Sequence, residues 1–141
     1  EKRIFKGIKN GHDIIIDCVI EKNGKIYLIE IKDGDTFDTK KVAGELESLE
    51  MARDHLINKM KISKNNISIH YCSFNATDHQ QIIKGAKSLL PLNSAMTGRE
   101  FCSLVGLDFD KIVEARKKDQ AENLNYFISE LKNIPEIISK L

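Results

Sequence analysis

Asp17, Glu30 and Lys32 are the residues whose types and spacing suit bond-breaking chemistry. They fall on two apolar, β-branched runs, residues 13–21 and 25–32, separated by Asn23-Gly24. Asn-Gly between strand-like runs is a strong hairpin signal, because a type I′ turn needs positive φ at both central residues. A two-residue loop pairs Lys22 with Lys25, Glu21 with Ile26 and Val19 with Leu28, and it sets Asp17 opposite Glu30. Side chains alternate along a strand, so Asp17, Glu30 and Lys32 project from one face. Directly paired Cβ atoms lie about 4.5–5.5 Å apart, and two carboxylates that near repel unless a cation sits between them. Mg²⁺ suits such a pair, because it takes one or two carboxylates at about 2.0–2.1 Å together with water and phosphate. Lys32 reaches the same volume, where an ammonium can hold a phosphate or position and help deprotonate an attacking water. A lone Glu-x-Lys in a strand is ordinarily surface decoration. An acid, an acid and a lysine across a tight hairpin, inside Ile-rich strands where charge is costly, are not.

The elements that hold these residues read as one α/β domain, with an antiparallel hairpin and further strands packed on helices. Residues 3–8 suit an edge strand, 13–21 and 25–32 the hairpin, and 67–74 a further strand. Asp38 is a good N-cap for a helix running to about Met60, with Val42, Leu46, Leu49, Arg53, Leu56 and Met60 at spacings of three and four. Thr77 or Asp78 starts a second helix that ends before Pro91. Thr97 and Glu100 have capping-box spacing. Asp108 caps a final helix to about Lys132, with Phe109, Ile112, Val113, Leu124, Phe127, Ile128 and Leu131 on its apolar side and Pro135 beyond it. Asp33, Asp35 and Asp38 serve as turn and cap residues.

Composition narrows the class. The chain has 141 residues, 41% hydrophobic and 30% charged, which fits one ordinary domain rather than a collagen or a disordered chain. No run of about 18 apolar residues is present, as a membrane span would need, and residues 1–5 have no signal-peptide core. Cys18, Cys72 and Cys102 are an odd, scattered set, unlike a disulfide framework or a zinc site. The expectation is therefore a cytoplasmic protein with no membrane partner. His12, His55, His70 and His79 have no mutual metal spacing, and only His12 abuts the first hairpin strand. Residues 55–99 set Lys59, Lys61, Lys64, Lys84, Lys87 and Arg99 against Asp78 alone, on a chain whose net charge is +1. That segment is either a solvated surface or an electrostatic footprint for phosphate.

Asp17, followed by Ile29-Glu30-Ile31-Lys32, a helix and another strand, resembles the PD-(D/E)xK nuclease superfamily. The resemblance covers about residues 3–74, and the segment after Lys32 is most like type II restriction endonucleases. It implies a restriction-endonuclease-like core: a mixed sheet with an antiparallel meander (3–8, 13–21, 25–32), flanking helices and, in this chain, extra C-terminal helices. It also implies hydrolysis of phosphodiester bonds in double-stranded DNA with Mg²⁺, for which Mn²⁺ substitutes. Asp17, Glu30 and the Ile31 backbone carbonyl would hold the metal, and Lys32 would assist the nucleophile and the phosphate. Asp13 and Glu45 are candidates for supporting roles around the site. Lys40, Lys41, Lys59, Lys61 and Lys64 are candidates for contacts to the DNA backbone. In the hairpin register Asp13 lies beyond Lys32, about 13 Å from Asp17 at ~3.3 Å per residue. Other readings are a junction-resolving or CRISPR-associated nuclease of the same superfamily, or an inactive DNA-binding module with the nuclease fold. No helix precedes Arg3, where the superfamily has its first helix, and no initiator Met is present. The expectation is a single catalytic domain lacking that helix, part of a longer protein, working as a homodimer or in an association that covers the gap.

Overall fold

A computed structural model describes residues 1–34 and 37–132. The chain divides into two compact units, residues 1–101 and 102–141. The first unit holds six strands: β1 (Arg3–Lys9), β2 (His12–Ile16), β3 (Cys18–Lys22), β4 (Lys25–Lys32), β5 (Ile67–Ser73) and β6 (Ala95–Thr97). It also holds helices α1 (Thr39–Met60) and α2 (His79–Gly85). Helix α3 (Gly98–Val105) begins in the first unit and ends in the second, where α4 (Phe109–Leu131) follows.

Strands β3-β4-β5-β6 form a mixed sheet, with β3 antiparallel to β4 and the other neighbours parallel. The expected hairpin register is present from Lys22 opposite Lys25 to Cys18 opposite Ile29, and it ends one pair short of the expected Asp17–Glu30 pair. Asn23 and Gly24 have φ of 52° and 74°, as a type I′ turn requires. The structure corrects the strand expected over 13–21. It breaks at Asp17, and the residues before the break pair with β1 in a separate two-stranded sheet. The turn of that sheet is a second Asn-Gly, Asn10 and Gly11, with φ of 50° and 81°. Its register slips between Phe5 and Lys9, where Gly7 takes a positive φ and its N–H donates to Asp13 Oδ1 at 2.9 Å.

Helix α1 starts where expected: the Asp38 carboxylate accepts from the backbone N–H groups of Lys40 and Lys41. Val42, Leu49, Ala52 and Leu56 form its buried stripe, while Met60 is exposed. The stripe joins two apolar clusters. One unites Leu49, Ala52 and Leu56 with Phe5, Ile14, Ile16, Ile26, Leu28 and Ile67. The other unites Val42 with Tyr71, Ala76, Ile82, Ala86, Leu90 and Ala95. The same helix thus packs against both sheets, and burial of about 1.5–3 kcal/mol per large apolar side chain fixes its position.

Helix α2 is shorter than expected and ends at Gly85, ahead of Lys87 and Ser88 at positive φ. The capping box of α3 forms in both directions, with Thr97 N–H donating to Glu100 Oε2 and Glu100 N–H donating to Thr97 Oγ1. Asp108 caps α4 through Lys111 N–H, but no residue of α4 is buried, and Leu124, Phe127 and Ile128 are exposed. Asp35 and Pro135 lie outside the described residues.

Candidate active site

The site is built on the C-terminal end of β4. β4 is a central strand, so Glu30 is 9% exposed and its position is set by neighbours on both sides. Lys32, two residues on, projects from the same face, and its Nζ donates to Glu30 Oε1 at 3.1 Å. The same ammonium donates to Glu45 Oε1 at 2.6 Å. Glu45 stands on α1 beside Gly44 and two turns after the N-cap, so helix packing brings a third carboxylate to the end of the strand. Its other oxygen, Oε2, accepts from the Tyr71 hydroxyl at 3.0 Å. Tyr71 lies on β5 directly beside Glu30.

Asp17 occupies the break between β2 and β3. The last pair of the β3–β4 ladder is Cys18 with Ile29, so the N–H of Ile31 falls beyond it. The Asp17 side chain takes that N–H, with Oδ2 accepting at 3.0 Å. This bond ties the carboxylate to β4 between Glu30 and Lys32, even though Asp17 itself is not part of a strand.

The electrostatics fit one cation shared among several acids. Burial raises the Glu30 carboxyl above its ordinary range; the Lys32 hydrogen bond pulls it back, and the charges of Asp17 and Glu45 push it up again, for a net upward shift. Burial lowers Lys32, but its hydrogen bonds to Glu45 and Glu30 outweigh this and hold the ammonium above its ordinary value. Lys32 at rest is therefore a charged donor with no lone pair to accept a proton. Burial, and then Glu45, keep the Tyr71 phenol protonated well above its usual range. Among the described residues, no three His, Cys, Asp or Glu side chains converge as a ready-made ligand cage. Asp17 and Glu30 nevertheless place two carboxylates at the end of β4, the sparse protein ligation that Mg²⁺ accepts.

The other residues singled out in the sequence sort by position. Asp13 is committed to Gly7 N–H on the β1–β2 hairpin. Lys40 and Lys41 are exposed on the first turn of α1, close in sequence to the site. Lys59 is fourteen residues beyond Glu45 on the same helix, about 21 Å away at ~1.5 Å per residue. It lines a separate cleft of about 450 Å³ with Arg3, Lys6 and His55, while Lys61 and Lys64 follow on the exposed chain past the helix. Sequence reasoning missed Tyr71. Its alignment with Glu30 depends on the parallel β4–β5 register, which no short-range signal encodes.

The fold and site define an α/β protein, a mixed four-stranded sheet flanked by helices with an acid–lysine cluster at the end of a central strand, an architecture consistent with a restriction-endonuclease-like fold. The chain is 34% identical over 137 residues to the type II restriction enzyme HhaII of Haemophilus parahaemolyticus. The match takes in 96% of this chain and 59% of the relative, so the chain spans about three fifths of the length of the curated relative it matches. No family model and no solved structure matches it. Among the described residues no helix is long and apolar enough to cross a membrane.

Proposed function

We propose that the chain carries the catalytic centre of a Mg²⁺-dependent endonuclease that hydrolyses phosphodiester bonds in double-stranded DNA, a type II restriction endonuclease of the PD-(D/E)xK kind. The observation that carries this reading is Lys32 held between Glu30 and Glu45, with the Asp17 carboxylate fixed on the intervening residue Ile31. The 34% identity to a type II restriction enzyme supports it independently.

Asp17, Glu30 and the Ile31 carbonyl would hold the metal ion, with Mn²⁺ as a substitute. When bound, the ion would lower the pKa of a coordinated water and offset charge on the phosphate. The chain's own residues do the rest. Lys32, charged and aimed from the strand end, donates to a phosphate oxygen and orients the attacking water. Glu45 balances that charge, so the ammonium does not have to draw on Glu30 alone. Lys40 and Lys41, near the site at the start of α1, meet the adjoining DNA backbone. One site per chain cuts one strand, so cleavage of a duplex calls for two copies.

Mixed-sequence duplex DNA incubated with Mg²⁺ or with chelator tests the reading. Cleavage should require metal, and Asp17→Ala, Glu30→Ala and Lys32→Ala should each abolish it while the variants still melt cooperatively. Asp13→Ala should retain activity. A dead Asp13→Ala beside an active Asp17→Ala would remove Asp17 from the site.

A further inference from the structure

Tyr71 is 1% exposed, in one apolar cluster with Val42, Ile82 and Ala86, and its ring meets Phe37 edge-on at 5.3 Å and 82°. Burying a hydroxyl is unfavourable unless it is hydrogen-bonded, and a phenylalanine would fill this volume without that cost. The acceptor of the Tyr71 hydroxyl is Glu45 Oε2, while Lys32 holds Oε1 of the same carboxylate. We propose that Tyr71 is a positioning residue: it locks Glu45 as the standing counter-ion of Lys32, leaving Glu30 free to turn to a cation. This rests on the nuclease reading of the site.

The geometry supports an unequal division of the ammonium. Lys32 Nζ is 2.6 Å from Glu45 and 3.1 Å from Glu30. A glutamate on a helix has three side-chain torsions, and with one oxygen unheld its carboxylate would swing among several partners. The phenol removes that freedom without adding a charge. Three carboxylates, Asp17, Glu30 and Glu45, act on the Tyr71 environment, and Lys32 is bonded to two of them. A neutral donor on Glu45 keeps the Lys32–Glu45 pair intact when Glu30 is engaged elsewhere. The aim of Lys32 toward a phosphate then depends on a residue that never touches substrate.

Tyr71→Phe keeps the volume and removes only the donor, and Glu45→Ala removes the acceptor, so a cycle of Tyr71→Phe, Glu45→Ala and the double variant isolates the effect. In Mg²⁺-dependent cleavage of duplex DNA, Tyr71→Phe should lower kcat about tenfold with KM unchanged, the signature of an interaction used in the transition state. The double variant should cut no more slowly than Glu45→Ala. Thermal melts in chelator provide a readout without activity: the drop in Tm from Tyr71→Phe should vanish in the Glu45→Ala background, where the hydroxyl has lost its acceptor. Wild-type kcat in Tyr71→Phe, or losses that multiply in the double variant, would overturn the proposal. If the wild-type chain fails to cut, the nuclease reading falls. The melts then decide the proposal alone: coupling between the two sites sustains the positioning of Glu45 by Tyr71, and additivity refutes it.

Discussion

Lys32→Met would leave Glu30 and Glu45 facing each other without their shared cation. In the wild-type chain the ammonium lies 2.6 Å from one carboxylate and 3.1 Å from the other. At an effective dielectric near 20, unit charges at those separations attract by about 5–6 kcal/mol each before desolvation is subtracted. Desolvation of three charged groups offsets most of that, and the Lys32 side chain keeps 29% of its exposure, so solvent screens part of the rest. Removing one partner of a fully buried pair costs about 3–5 kcal/mol; discounted for this exposure, the loss is about 2–3 kcal/mol. In a chain of this size that lowers Tm by about 6–12 °C.

The pH dependence carries a definite sign. Lys32 is raised above 10.5, so its own contribution is complete below that value and is lost only as pH rises through the folded one. Below that value the pH dependence at this site follows the Glu30 carboxyl. Glu30 is raised from 4.5, so the folded state favours its protonated form, and stability falls as pH climbs from 4.5 through the folded value. Losing Lys32 removes the main influence that lowers Glu30 and extends that fall. Melts in chelator should show the variant close to wild type below 4.5 and progressively below it as pH rises through the folded Glu30 value. Added Mg²⁺ should recover part of the difference by supplying a replacement cation. A variant that melts with wild type at neutral pH in chelator, or a gap that does not change with pH, would refute the reasoning.

Gly24→Ala should cost about 1 kcal/mol in a urea titration, because φ of 74° strains an L-residue even though the added Cβ meets open space; an unchanged midpoint would mean that the turn does not set the register. Burial raises Glu100, but hydrogen bonds from Thr97 and His79 outweigh it and leave the carboxyl below 4.5. Its contribution is present above 4.5 and lost as pH falls through the folded value, so Glu100→Gln should flatten the acid limb of the melting profile; an identical acid limb would count against the capping role.

The hairpin was legible because Asn23-Gly24 has a single good solution, and that solution fixed the pairing up to Cys18 and Ile29. Asn10-Gly11 offered the same signal and marks the β1–β2 turn, but the run Ile14-Ile15-Ile16-Asp17-Cys18-Val19-Ile20 looks continuous. Nothing in its apolar pattern marks the residue at which the chain leaves one sheet for another, because both halves are β-branched and both are packed. Glu45 stood out by its place on α1, whereas its bonds to Lys32 and Tyr71 depend on how a helix and two strands meet. The distance of Lys59 from the site was available from helical rise alone. The exposed Leu124, Phe127 and Ile128 have the spacing of a core-facing stripe, and periodicity reports that a face is apolar, not that something covers it.

The break at Asp17 separates what must stay fixed from what is free to change. Asp17 is anchored to Ile31 of the central strand, whereas the turn at Asn10 and Gly11 stands at the far end of its own two-stranded sheet. The Asp17–Ile31 bond involves no residue of that turn, so lengthening or replacing the turn alters how far the hairpin reaches and leaves that bond in place. The chain thus has a graft point: new loops inserted at residues 10 and 11 would change what the surface contacts, provided Lys9 keeps its contacts with Gly44 and Glu47 on α1.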